Sequence, residues 1–224
     1  HLIDRAVKLF SKVIVFLNAG AVLDCEYFAE NDKIQAVLMG WQAGMEGGGA
    51  VADILCGDVN PSGKLPDTLV KNYDFYPSKA DYEASFDYVD YSEDIYVGYR
   101  YFGTVNGKKD CVRYPFGFGL SYTEFDISGT FCGESDGRIV AVCTVKNIGK
   151  VAGKEVVQVY CEAPQGALGT PSRQLIAFFK TKTLLPHESQ SFSYKVDLPA
   201  AYDDSGAAGH AHCWVREEGI YQIY

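Results

Sequence analysis

Four acids stand where a carboxylate could do chemistry. Glu46 lies at the start of a glycine-rich helix, and Asp90, Glu93 and Asp94 lie among tyrosines. Two carboxyls at the right separation are enough to cleave an acetal, one donating a proton while the other attacks or activates water. The surroundings argue against each of the four. The dipole at a helix start favours the charge of Glu46, which suits a cap and opposes the raised pKa of a proton donor. An acidic stretch in a loop is ordinarily a solvated face. No catalytic residue is assigned within the chain.

Other chemistries fare no better. A serine or cysteine nucleophile needs a histidine base held by an acid. The four histidines are His1, His187 in a turn, and His210 and His212 in one loop. No Gly-x-Ser-x-Gly occurs. Gly57 to Lys64 invites a phosphate-loop reading, but five residues separate its glycines where four are required, and Leu65 replaces the Mg²⁺-binding hydroxyl. Asn60-Pro61-Ser62-Gly63 reads instead as a turn, Pro fixing φ and Gly tolerating a positive one. Gly44 to Gly49 could cradle an anion at a helix start, but tight helix packing accounts for the same glycines. His210, His212 and Cys213 lack the third or fourth ligand and the outer shell that a metal site needs. The residues imply no cofactor and no metal.

The elements that would position such residues fall into three stretches. Residues 1–72 read as half of a doubly wound α/β sheet. A helical run ends at Lys12, and Val13 to Asn18 and Ile34 to Met39 are apolar on both faces, as in parallel strands covered on each side. A helix containing Glu26 to Ala29 separates them, and another, Ala50 to Leu55, stops at Gly57. Residues 73–123 are Tyr-rich with little periodicity, a joint whose aromatics glue neighbouring elements together. Residues 124–224 alternate as an antiparallel sandwich of about seven strands, immunoglobulin- or fibronectin type III-like. Ile139, Ala141, Cys143 and Val145 alternate with Val140, Val142 and Thr144, and Ser191 to Leu198 alternates without error.

The totals exclude whole classes of function. A net charge of −9 lacks the basic footprint that nucleic acid or an anionic membrane surface requires. No apolar run is long enough for a bilayer span. Seven scattered cysteines, without a C-x-x-C pair, offer no disulfide framework, so a reducing compartment, cytoplasmic, is expected. The chain opens on His1-Leu2-Ile3 without Met or a basic leader, which places the true N-terminus elsewhere.

Four blocks, in order, resemble glycoside hydrolase family 3. Trp41-Gln42-Ala43-Gly44-Met45-Glu46-Gly47-Gly48 leads through Ala52-Asp53-Ile54-Leu55 to Gly57-Asp58-Val59-Asn60-Pro61-Ser62-Gly63-Lys64-Leu65-Pro66. Tyr91 to Phe102 and Pro115 to Thr123 are similar to the next two blocks, and Val145 to Tyr160 is similar to the family's fibronectin type III-like domain. Met45 stands where the family usually has Gln, and Leu69-Val70 replaces a Phe-Pro. The resemblance implies a retaining exo-β-glycosidase, β-glucosidase in type, in which a (β/α)8 barrel holds an Asp nucleophile and a sandwich loop lends a Glu acid. No position here matches either motif. The expected partners are therefore the missing barrel and the rest of the sandwich, with a β-glucoside or related sugar as the parent's substrate. Gly219 to Tyr224 resembles a strand that relatives continue, so the last strand is expected to be truncated. The alternative is a stand-alone carbohydrate- or protein-binding sandwich. Half a sheet should also leave Val, Ile and Leu exposed, at roughly 1.5–3 kcal/mol each, against a domain stability of about 5–15 kcal/mol.

Overall fold

The computed structural model describes residues 2–82, 84–135, 138–209 and 211–224, with backbone alone at 130–132, 134 and 135. The α/β stretch contains α1 (Leu2–Leu9), β1 (Val13–Leu17), α2 (Glu26–Ala29), β2 (Ile34–Met39) and α3 (Gly47–Cys56). β1 and β2 pair in parallel with Val15 opposite Val37. This is the crossover expected of strand–helix–strand, because parallel partners need an intervening segment that returns the chain. Gly40 closes β2 by donating its N–H to the Leu17 carbonyl at 2.9 Å. A side chain there would strike the Phe16 ring.

Coverage of β1 on both faces is not what the structure shows. Val13 and Val15 are 9% exposed, whereas Ile14 and Phe16, pointing to the opposite face, are 49% and 39% exposed. Strand side chains alternate between faces, and the helices within this chain leave the second face open. Periodicity correctly marked the strand as two-sided apolar but could not say where its second cover lies. On β2, Val37 lies opposite Val15, on the face away from Ile14 and Phe16, and is 38% exposed.

Past α3 the chain lays down β3 (Leu69–Val70), α4 (Lys79–Tyr82), α5 (Tyr99–Thr104) and β4 (Val112–Tyr114). β3 and β4 form a small antiparallel ribbon, Leu69 opposite Tyr114. Leu69 and Val70, where the family pattern has Phe-Pro, are both buried, so the departure fills a packed site. Cys25, also buried, reaches the Val70 carbonyl with its Sγ at 3.8 Å.

The remainder is a two-layer β-structure. β5 (Phe125–Ser135), β6 (Arg138–Asn147) and β9 (Ser189–Val196) form one antiparallel sheet. β7 (Val156–Glu162), β8 (Gln174–Lys180) and β12 (Gln222–Ile223) form the other. Their facing sides meet in one core: Val145 from the first sheet, Val157, Val159 and Phe179 from the second, and Leu184 from the loop after it. Cys143 and Phe192, neighbours across β6 and β9, pack against it. The Phe179 ring lies 4.0 Å from Phe192 and stacks at 4.8 Å on Tyr194, an arrangement worth more than area alone. The inward alternation read from the sequence is therefore the real core face. Among the described residues, eight strands rather than about seven follow residue 124. The surplus includes a ribbon, β10 (Ala201–Asp203) with β11 (Cys213–Val215), too short to show a period.

Asp203 organises the loop between those two strands. Its buried carboxylate accepts backbone N–H bonds from Gly206 (2.7 Å), Ala207 (2.9 Å) and Ala208 (2.9 Å). What reads as a loose Ser-Gly-Ala-Ala-Gly stretch is a turn wound around a buried carboxylate, whose bonds to three N–H groups offset the cost of burying it. The Leu185 to Ser189 turn forms as expected, with His187 at φ 68° and Glu188 donating to the Leu185 carbonyl at 2.9 Å.

Burial pushes the Cys161 thiol up to about 11 and the Tyr160 phenol up to about 12, from ordinary values of 9.0 and 10.0. The unfolded chain therefore loses these protons first as pH rises, and the folded state then binds more protons than the unfolded one. Stability from both groups is intact below about pH 9 and is lost progressively from there to about pH 12. Chemical denaturation midpoints across that range should fall in the wild type, and the fall should be shallower in Cys161→Ala and Tyr160→Phe.

Candidate functional site

The structure places each of the four candidate acids plainly: Glu46 stands apart before α3, and the other three line one cleft. Glu46 occupies the position before α3, but its side chain makes no capping hydrogen bond. Its backbone, φ −86° and ψ 4°, is not the extended conformation that aims a capping side chain at the helix N–H groups. Asp90 and Asp94 are exposed and Glu93 is half-buried, all beside a cleft in the Tyr-rich stretch. His212 lies 3.5 Å from Asp204 on the exposed β10–β11 ribbon, next to Cys213; His210 lies outside the described residues.

The glycine readings also change. A side chain at Gly47 would meet Ala43 Cβ at 2.6 Å, but at Gly44, Gly48 or Gly49 it would meet nothing. Tight packing explains one glycine of the cluster within this chain, because the rest of that helix end is open. Asn60 to Gly63 is not a turn. The turn sits three residues earlier, at Gly57 (φ 85°), the left-handed cap of α3, a conformation that favours glycine. Residues 60–63 then run on without regular structure.

What that segment does is join the two halves of the chain. The Asn60 carboxamide oxygen accepts from Ser121 Oγ at 3.0 Å and from Tyr122 N–H at 2.8 Å, and its Nδ2 donates to the Ala152 carbonyl at 3.0 Å. One side chain thus ties the α/β half, the Tyr-rich segment and the sandwich. Asparagine alone among small side chains offers both a carbonyl acceptor and a two-proton donor at one tip. Four residues on, Lys64 pairs with Glu155 at 2.9 Å and donates to the Gly119 carbonyl at 3.0 Å. Both charged side chains are largely withdrawn from water, at 17% and 13% exposure. Leu65 and the 115–119 loop exchange backbone bonds, Leu65 N–H to Phe118 at 2.8 Å and Gly117 N–H to Leu65 at 2.7 Å. Gly119 is obligatory here, since a side chain would collide with the Gly63 carbonyl oxygen; at Gly153 it would meet Asn60 Nδ2 at 2.7 Å.

Aromatics extend the same joint. The Tyr99 ring lies 4.8 Å from Phe116 and 5.8 Å from Tyr160 on β7, and its hydroxyl accepts from Leu175 N–H at 2.9 Å. Thr104 Oγ1 accepts from Ser172 N–H at 2.8 Å, and Tyr96 donates to the Gly169 carbonyl. Tyr122 donates back to the Ile54 carbonyl of α3 at 2.8 Å. Beneath them Asn147, fully buried, accepts from Thr123 Oγ1 at 2.8 Å and donates to the Leu184 and Val151 carbonyls. Glu155, Asn147, Thr104 and Ser172 carry no sequence signal of this role; each is a common polar residue type. Tyr96, Tyr99, Phe102, Phe116 and Tyr122 glue as expected. Phe86, Tyr88 and Tyr91 do not: all three are exposed.

Residues 1–122 match the model of the glycosyl hydrolase family 3 C-terminal domain, and residues 155–224 match that of a fibronectin type III-like domain. The chain belongs to glycosyl hydrolase family 3. Within that family it is 48% identical to β-glucosidase A of Butyrivibrio fibrisolvens, with 96% of this chain and 28% of the relative aligned. It is likewise 48% identical to a β-glucosidase of Ruminococcus albus, covering 96% of this chain and 22% of that one. Among solved structures, a β-glucosidase from Paenibacillus barengoltzii superposes with a TM-score of 0.91 at 44% identity, over 99% of this chain and 25% of the other. The chain thus spans about a quarter of the length of these family 3 relatives. The joint is built from the very blocks that carried the resemblance: Asn60 to Lys64, Tyr96 to Phe102, and Phe116 to Thr123.

Because Lys64 and Glu155 leave water together, removing one strands the other. A double-mutant cycle with Lys64→Met and Glu155→Gln should give a coupling of about 1–3 kcal/mol in denaturant unfolding. Gly119→Ala should cost at least as much as either single change, because its clash is with backbone.

Proposed function

We propose that this chain is the non-catalytic part of a retaining β-glucosidase, holding in register modules whose acids lie in portions of the protein that it does not span. The observation that carries this reading is the joint itself. Its polar groups are engaged in binding the α/β half to the sandwich, and the matched relatives are β-glucosidases about four times as long. In such an enzyme an Asp attacks the anomeric carbon, a Glu protonates the leaving oxygen, and water then releases the sugar, with the two carboxyls about 5–5.5 Å apart. That separation is set by the modules carrying the acids, so a small rotation at the joint would cost rate without touching either acid.

The open face of the β1–β2 pair supports the same reading. Ile14 and Phe16 stand ready for a layer that this chain does not supply. The stand-alone binding module has less behind it, because Phe192 and Tyr194, the aromatics of the best alternating strand, are occupied in stacking on Phe179 in the core. A terminal β-glucoside is the substrate of choice, and a reducing compartment fits Cys25 and Cys161, each packed singly inside.

The purified 224-residue chain should release no aglycone from an aryl β-glucoside, and adding the barrel-bearing remainder of the polypeptide should restore turnover. In the reconstituted enzyme Glu46→Gln should keep the rate within about twofold. A loss of about 10²-fold or more, the contribution of a general acid, would put the chemistry inside this chain and overturn the reading.

A further inference from the structure

The exposed tyrosines that the joint leaves unused surround a cleft of about 560 Å³ between α4, the Tyr73–Phe75 turn and the 89–97 loop. Tyr73, Tyr76, Tyr82 and Tyr91 line it together with Asp81, Asp90, Glu93 and Asp94. Tyr82 and Tyr91 are 73% and 91% exposed. The walls are tied across the cleft by a hydrogen bond from Ser92 to Asp81, and the Tyr76 hydroxyl donates to the Thr68 carbonyl at 2.8 Å. The cleft already accommodates one cation of its own. The Lys79 ammonium, paired with Asp74, sits 5.4 Å from the centre of the Tyr73 ring.

We propose that this cleft binds a guanidinium group, presented by an arginine-bearing segment of a protein partner. The electron-rich face of a tyrosine attracts a cation, and the attraction grows as water is excluded. Carboxylates on the rim of the same cleft supply the acceptors that a guanidinium takes two at a time. Arginine fits better than lysine because its planar head stacks on a ring and forks onto carboxylates together, with a smaller desolvation cost. The chain uses that stacking elsewhere: the Arg173 guanidinium lies 4.3 Å from the Tyr224 ring centre. Exposed Val89 in its lining, with exposed Phe86 and Tyr88 just before it in the chain, gives a partner apolar area, and tyrosine and arginine are both enriched in the hot spots of protein interfaces. Charge complementarity points the same way, since among the described residues the cleft contributes four acids against Lys79.

The test is calorimetric titration of the 224-residue chain with tri-arginine amide and with tri-lysine amide. Tri-arginine amide should bind in the range of about 1 mM or tighter and tri-lysine amide more weakly. Asp90→Asn with Asp94→Asn, and separately Tyr91→Ala, should each weaken tri-arginine binding by about tenfold, each variant keeping the wild-type circular dichroism spectrum. A control that removes the same charge elsewhere, Glu124→Gln with Asp126→Asn, should leave binding unchanged. Equal loss in the control, equal affinity for the two peptides, or no binding by the wild type overturns the proposal. The readout is binding rather than hydrolysis, so such a result leaves the β-glucosidase reading to stand or fall on its own assay.

Discussion

The structure depends on how a single short segment, Asn60 to Leu65, satisfies its own polar groups and those of its neighbours at once. A buried donor or acceptor left unpaired costs about 1–3 kcal/mol. Asn60 answers that demand for the Ala152 carbonyl, the Tyr122 N–H and the Ser121 hydroxyl together. Lys64 does the same for Glu155 and Gly119. Because Ala152 and Glu155 belong to the sandwich, the bonds to them cannot be kept if the α/β half and the sandwich turn against one another. The glycines at 119 and 153 make the approach possible, and the aromatics around Tyr99 fill the space that remains.

The two halves are completed to very different degrees. The sandwich closes its own core, with Leu184, Val145 and Cys161 fully buried between two sheets. The α/β half keeps one covered face on β1 and turns the other outward. An isolated strand pair gains little from its backbone bonds without a buried face, so the α/β half draws its order from the sandwich through the joint and from whatever layer covers Ile14 and Phe16. This asymmetry is the structural counterpart of a chain that spans about a quarter of its relatives' length.

The strongly periodic parts were legible. Val13 to Leu17, Ile34 to Met39 and Ser189 to Val196 all form strands where alternation or apolar runs demanded them. The left-handed end of α3 at Gly57 was equally plain. Local rules mislead where a residue answers to a distant partner. Asn60-Pro61-Ser62-Gly63 has the composition of a turn, but its asparagine reaches 92 positions along the chain to Ala152, and the backbone stays open to allow it. Glu46 stands where a cap should be, but the preceding glycine loop holds its backbone away from capping geometry. Asp203, unremarkable in a polar loop, is buried because three successive N–H groups close on it.

What the sequence alone determined was identity and element type: four family blocks in order, an α/β half, a Tyr-rich joint and a β-sandwich. These follow from side-chain periods and turn residues, which act over a few positions. Only the tertiary structure decided which tyrosines become glue and which stay open, which face of β1 is covered, and that Lys64 and Glu155 share a charge pair. Such pairings depend on which distant surfaces come together, and nothing in local spacing records a neighbour 91 residues away.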